Sequence, residues 1–124
     1  MPRPGDNFAR DGYVPQMGHV VHLDWAPAVG HEMTAPHYGL VVSADAFNVG
    51  TGLCIVCPIT SKVGKLSGFE LPIKAGKVNG AVILSALRSL DYESRDVQFA
   101  AVADPRDTSE ANRRIRMMFP VALT

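Results

Sequence analysis

Six short apolar runs, each closed within a few residues by glycine, proline or serine, and then a single segment of helical period set the architectures open to this 124-residue chain. Residues 18–24 alternate weakly. Residues 39–43 and 53–58 are continuous apolar runs, joined through residues 45–52, whose Asn, Gly and Thr suit a turn. Residues 69–73 alternate again, and residues 80–84 and 97–103 form two further apolar runs. Loops rich in Gly, Pro and Ser fall at 27–36, 60–68 and 74–79. About six short strands at this spacing predict a small antiparallel barrel or sandwich. The three phenylalanines within or beside these runs, Phe47, Phe69 and Phe99, are expected in its core.

Beyond Pro105 the period changes. Asp107-Thr108-Ser109-Glu110 reads as a capping box, and Ala111, Ile115 and Met118 recur at i, i+4 and i+7. Arg113, Arg114 and Arg116 lie off that stripe, on a solvated face that complements the helix dipole. One amphipathic helix over 108–119 is expected to pack on the sheet. Residues 85–88 would make a short helix after their strand. Residues 1–15, rich in Pro, Gly and charge, read as a tail or arm, which leaves 16–124 as one domain.

Composition then excludes several functions. The chain is 47% apolar and 19% charged, unlike a disordered regulator. Twelve basic and twelve acidic side chains cancel, so a strongly basic wrapper of nucleic acid is not indicated, although a local basic groove is compatible with neutrality. No run approaches the roughly 18 apolar residues of a membrane span, and residues 1–10 lack the apolar segment of a signal peptide; a soluble cytoplasmic protein is expected. Cys54 and Cys57 have redox spacing, but Ile55-Val56 between them belongs to a strand. Residues three apart on a strand point to opposite faces, so the thiols read as buried hydrophobes. His19 and His22 fail as a metal pair for the same reason. With no other cluster at zinc-like spacing, neither a metal nor a cofactor is expected.

Three motifs in order make the chain resemble the MazF/PemK-type toxins, the mRNA interferases of bacterial toxin–antitoxin pairs. Met17-Gly18-His19-Val20-Val21-His22-Leu23-Asp24-Trp25-Ala26-Pro27 resembles the family's opening strand. Gly30-His31-Glu32 followed by Tyr38-Gly39-Leu40-Val41-Val42-Ser43 resembles its second motif, G-x-E-Q-x-G-x-R-P-x-x-V-l-S. Val56-Cys57-Pro58-Ile59-Thr60-Ser61 resembles its v-P-x-T-S. Ala46-Phe47-Asn48 is similar to the turn between them, and Leu87-Arg88-Ser89-Leu90 falls where a basic residue follows a D-Q pair. The resemblance spans about residues 13–119 and implies a small SH3-like barrel with a C-terminal helix, of the CcdB/PemK/MazF toxin type, usually as a homodimer.

It also implies a metal-independent endoribonuclease that cuts single-stranded RNA with the ribose 2′-OH as nucleophile. That reaction needs a base for the hydroxyl, an acid for the leaving 5′-oxygen, and cationic or hydrogen-bonding groups at the phosphate. By the resemblance Thr60 would bond the scissile phosphate, with Ser61 beside it. His31 matches a histidine of the PemK branch, and an imidazole exchanges protons near neutrality. Glu32 matches the loop acid and Arg88 a phosphate-facing base, with an ion pair to Asp91 as its alternative. Tyr38 and Trp25 would stack bases, with a core or dimer-edge position as the alternative for Trp25. Lys62 and Lys65, in the loop after Thr60, would line the RNA channel; Lys74 and Lys77 follow in the next loop.

The departures from the family are chemical. His37-Tyr38 stands where the family has a catalytic arginine before proline. Ile83 and Ser85 occupy the positions of an Arg and an Asp that act as acid and base in the PemK branch; Ile83 is expected to pack in the core. The acid–base work then falls to His31, His37 and Glu32. The alternative is a catalytically weakened homologue that binds antitoxin or RNA without cleavage. A CcdB-like gyrase poison is a further reading, which the tail Phe119-Pro120-Val121-Ala122-Leu123-Thr124 disfavours because it lacks that branch's tryptophan. A generic SH3-like peptide scaffold lacks an aromatic groove signal. The implied partners are single-stranded RNA, a cognate antitoxin and a second copy, with no membrane contact and no DNA except through a toxin–antitoxin repressor complex.

Overall fold

The computed structural model describes residues 12–26, 36–61 and 69–121. Seven strands, β1 (His19–Asp24), β2 (Pro36–Val41), β3 (Leu53–Thr60), β4 (Glu70–Ala75), β5 (Val78–Ile83), β6 (Arg88–Asp91) and β7 (Gln98–Val102), form one curled antiparallel sheet. Their order is β4-β5-β3-β2-β1-β7, with β6 also paired to β3. Helix α1 (Asp45–Thr51) joins β2 to β3, and α2 (Pro105–Arg116) follows β7.

The central strand β3 explains the curl. Its first half pairs with β6 through Leu53–Val56, and its last residues, Ile59 and Thr60, pair with β5. Both of its faces are covered. Cys54 and Val56 pack with Val21, Leu23, Trp25, Val41 and Leu90, while Cys57 and Ile59 pack with Val20, Leu40, Leu71, Val82 and Leu84. Two cores on one strand require a continuous apolar run, which is what residues 53–58 present. Each fully buried valine or leucine contributes roughly 1.5–3 kcal/mol.

Helix α2 begins earlier than the Asp107 capping box predicts. Asp104 is the N-cap, its carboxylate accepting from the Arg106 backbone N–H at 2.9 Å, and Pro105 occupies the first turn. That first turn is where its missing N–H and fixed φ suit a helix. The helix therefore covers 105–116 rather than 108–119. Ala111 is buried and Ile115 packs on the core, as the stripe predicts. Arg113 and Arg114 both engage Glu110 and hold its carboxyl down to about 2.

Several local expectations are corrected. Residues 45–52 are not a turn but helix α1 with Gly52 as its C-cap, and the amide of buried Asn48 ties it to the rest: Nδ2 donates to the Pro15 carbonyl at 2.7 Å and Oδ1 accepts from Ser43. Residues 74–79 are not a loop but the ends of β4 and β5 around a tight turn. Ala75 pairs with Val78, and Gly76 supplies the positive φ there. Residues 85–88 are not a helix, since a 3₁₀ turn at Leu84–Ala86 leads directly into β6. Phe47 and Phe69 are exposed rather than core, and Phe99 is half-buried with its edge against Tyr13 and His19. Ile83 is likewise only half-buried. Within the stretch read as an arm, Tyr13 and Pro15 are buried.

Candidate active site

The β2–β3 ladder pairs Gly39 with Pro58 and Leu40 with Cys57. Continued by two residues toward the open ends of the strands, the same register sets His37 opposite Thr60. Directly opposed side chains on one face have Cβ atoms roughly 4.5–5.5 Å apart. His37, Tyr38, Thr60 and Ser61 all line one groove of about 270 Å³, with Lys77 and Asn79 of the β4–β5 hairpin as its other wall.

The surrounding backbone explains why these groups converge. Gly80 lies so close to Thr60 that a Cβ would strike the Thr60 carbonyl, so only glycine lets β5 bring the hairpin alongside. Gly39 has the same function toward the interior: a Cβ there would meet Val56 and the Trp25 ring. Trp25 fills that space completely buried, and its Nε1 donates to the His37 carbonyl at 3.3 Å. Trp25 is thus a core residue that fixes the backbone carrying His37, not a stacking platform. Tyr38 is exposed, and its ring meets His22 edge-on with centroids 5.1 Å apart.

Other candidates fall elsewhere. Arg88 pairs with Val56, and because faces repeat every second residue it shares Thr60's face of the sheet. It does not line the groove; its Nη1 donates to the Trp25 carbonyl at 2.5 Å, bracing the chain from behind. Asp91 caps its own turn by accepting from the Glu93 and Ser94 N–H groups. Ile83 sits opposite Glu70 and Ser85 is exposed in the 3₁₀ turn, and neither lines the groove. His31, Glu32, Lys62 and Lys65 lie outside the described residues. Lys77 and Asn79 are the groove residues that sequence reasoning did not assign: Lys77 shows there only as one of four loop lysines, and nothing in the sequence marks Asn79.

The cysteines and histidines behave as strand geometry requires. Cys54 and Cys57 are free, buried in separate cores, and burial pushes each thiol up to about 12. His19 is buried while His22 is exposed. Among the described residues no three His, Cys, Asp or Glu side chains come together where they could hold a metal ion. Among them, too, no helix is long and apolar enough to cross a membrane.

Residues 16–119 match the family described as PemK-like, MazF-like toxin of type II toxin-antitoxin system. The endoribonuclease toxin MazF of Escherichia coli K12 is 24% identical over 106 residues, 86% of this chain and 95% of that protein. Crystallised MazF from Deinococcus radiodurans superposes with a TM-score of 0.79 at 35% identity, over 86% of this chain and 97% of that one. MazF in a MazE–MazF complex from the same organism superposes at 0.72 with 31% identity, covering 86% and 96%. The gyrase-poison reading gains no support from these relatives. Matched by the family over most of its length and by solved MazF structures over the same core, this chain belongs to the PemK-like, MazF-like toxins of type II toxin–antitoxin systems.

Proposed function

We propose that this chain is the toxin of such a pair, a cytoplasmic endoribonuclease that cleaves single-stranded RNA without a metal ion and is held inactive by a cognate antitoxin protein. The observation that carries the reading is the convergence of an imidazole, two hydroxyls and an ammonium, from His37, Thr60, Ser61 and Lys77, on one groove at the strand ends. The ribose 2′-OH attacks the adjacent phosphorus, the P–O5′ bond breaks, and the products carry a 2′,3′-cyclic phosphate and a 5′-OH. The 2′-OH gives up one proton and O5′ takes one. His37 exchanges one of these protons, and His31 or Glu32, a few residues upstream in the chain, exchanges the other. Thr60, Ser61 and Lys77 hold the phosphate oxygens as charge develops on them. In this reading Tyr38 stacks a base beside the cut, and the charges of Arg88, Lys62 and Lys65 attract the RNA backbone. A homodimer is the working assembly. The catalytic relatives support the reaction class, and the MazE–MazF complexes of Deinococcus radiodurans support an antitoxin partner.

The test is cleavage of a long single-stranded RNA by purified protein in EDTA, with new ends mapped by primer extension. Site-specific cuts that His37→Ala and Thr60→Ala abolish are expected. Unaltered cutting by both variants would move the chemistry out of this groove, and an RNA left intact by wild type would leave only a binding protein.

A further inference from the structure

The catalytic groove does not end at Tyr38. Across the β1–β2 ladder Tyr38 is paired with His22, and the two rings meet at 73°. His22 in turn lines a second, larger cleft of about 700 Å³ whose walls include Asp24, Ser94, Arg95, Asp96 and Gln98. Tyr38 belongs to the first depression and His22 to the second, so the two depressions meet at this aromatic edge. The volume lies within the roughly 300–1,000 Å³ of small-ligand sites.

The cleft's chemistry differs from that of the groove. Two carboxylates, Asp24 and Asp96, line it, and its one guanidinium, Arg95, is turned onto the backbone carbonyls of Asp24 and Ala26. A phosphate would be repelled here, whereas a base edge offering adjacent N–H donors fits a carboxylate in bidentate fashion. Guanine has that edge, with N1–H beside its exocyclic amino group and O6 alongside as an acceptor. The Gln98 amide supplies a donor for O6. The rim is held in shape: Asp24 Oδ1 accepts from the Ala26 N–H at 3.0 Å, the Gln98 amide donates to Asp96 at 3.3 Å, and Asp96 holds a left-handed φ of 49°. Single-stranded RNA is read in this way, with splayed bases stacked on rings and bonded along their Watson–Crick edges.

We propose that the cleft between His22, Asp24 and Gln98 is a base-recognition subsite for a guanine next to the cleavage position. The proposal rests on the nuclease reading for its substrate, but its binding test is independent of turnover. The probes are fluorescent 2′-O-methyl uridine hexanucleotides, which cannot be cleaved, each carrying one guanine at a different position, with the all-uridine oligomer as reference. Wild type is expected to bind one guanine placement at least tenfold tighter than the reference. Asp24→Asn keeps the acceptor for the Ala26 N–H, and Gln98→Ala removes an exposed side chain. Both are expected to lose that preference while His37→Ala keeps it. If Asp24→Asn does not fold, Gln98→Ala decides. No guanine preference in wild type, or an unchanged preference in the folded variants, overturns the subsite. If wild type shows the preference yet leaves unmodified RNA uncut, the nuclease reading fails and the subsite stands. If it cuts RNA but shows no preference, the subsite alone fails.

Discussion

His37 and Thr60 line one groove at the ends of β2 and β3, and the indole of buried Trp25 holds the His37 carbonyl from behind. We predict that His37→Ala lowers kcat/KM on an RNA oligomer roughly 10²–10⁴-fold, the usual contribution of a positioned proton carrier. His37→Arg is the sharper variant: it keeps a cation beside the phosphate but holds its proton, so it should lose a comparable factor in kcat/KM.

Thr60 offers a hydroxyl, and its methyl is dispensable to the chemistry. Thr60→Ser should stay close to wild type. Thr60→Val, similar in volume and β-branched, should lose roughly 10–150-fold in kcat/KM, as expected for a bond to a charged group of about 1.5–3 kcal/mol. Equal loss in both variants would assign Thr60 to packing.

Gly80→Ala pushes a methyl into the Thr60 carbonyl, so β5 must shift away from the groove. Overpacking of this kind destabilises by about 1–3 kcal/mol. The expected result is a lower urea midpoint together with a fall in cleavage larger than the stability loss explains. Gly39→Ala, which would displace Val56 and Trp25, should lower stability by a similar amount.

His19 gives a pH dependence whose sign follows from its bonds. The Gln16 N–H donates to Nδ1 at 3.3 Å and the Tyr13 hydroxyl lies 2.7 Å from the same atom, so Nδ1 is an acceptor and the ring is neutral. Burial lowers its folded pKa below 6.5, opposed by the Asp45 carboxylate. In the window between the folded value and 6.5 the unfolded chain binds more protons. Stability is therefore full above 6.5 and is lost as pH falls toward the folded value, by at most about 1.4 kcal/mol per pH unit. His19→Gln should flatten that slope in urea unfolding measured between pH 5 and 7.5.

Cys54 and Cys57 should resist alkylation at pH 8 in the native protein and react together on unfolding, since both thiols are buried and raised to about 12. Mass spectrometry of iodoacetamide-treated protein checks this. A native disulfide between them would contradict their placement in separate cores.

Much of this was legible because burial leaves a periodic trace. The run at 53–58 and the stripe through Ala111 and Ile115 are direct imprints of covered faces. Helix α1 was not legible: its seven residues carry Asn, Gly and Thr, and it is anchored through Asn48 to Pro15 and Ser43, which no local pattern shows. Strand β6 was missed because it buries only Leu90, with Arg88 half-buried and Ser89 and Asp91 exposed. In the site, Thr60 and His37 were found through motif resemblance. Lys77 was not, because it reaches the groove only when the β4–β5 hairpin folds back beside Thr60.

The most direct measurement replaces one ribose at a mapped cleavage position with 2′-deoxyribose and analyses the product ends by mass spectrometry. Attack by the substrate's own hydroxyl predicts a 2′,3′-cyclic phosphate and a 5′-hydroxyl from all-ribose RNA, and no cut at the deoxy position although the oligomer still binds. A deoxy-substituted strand cut at the same bond, leaving a 3′-hydroxyl and a 5′-phosphate, would contradict it.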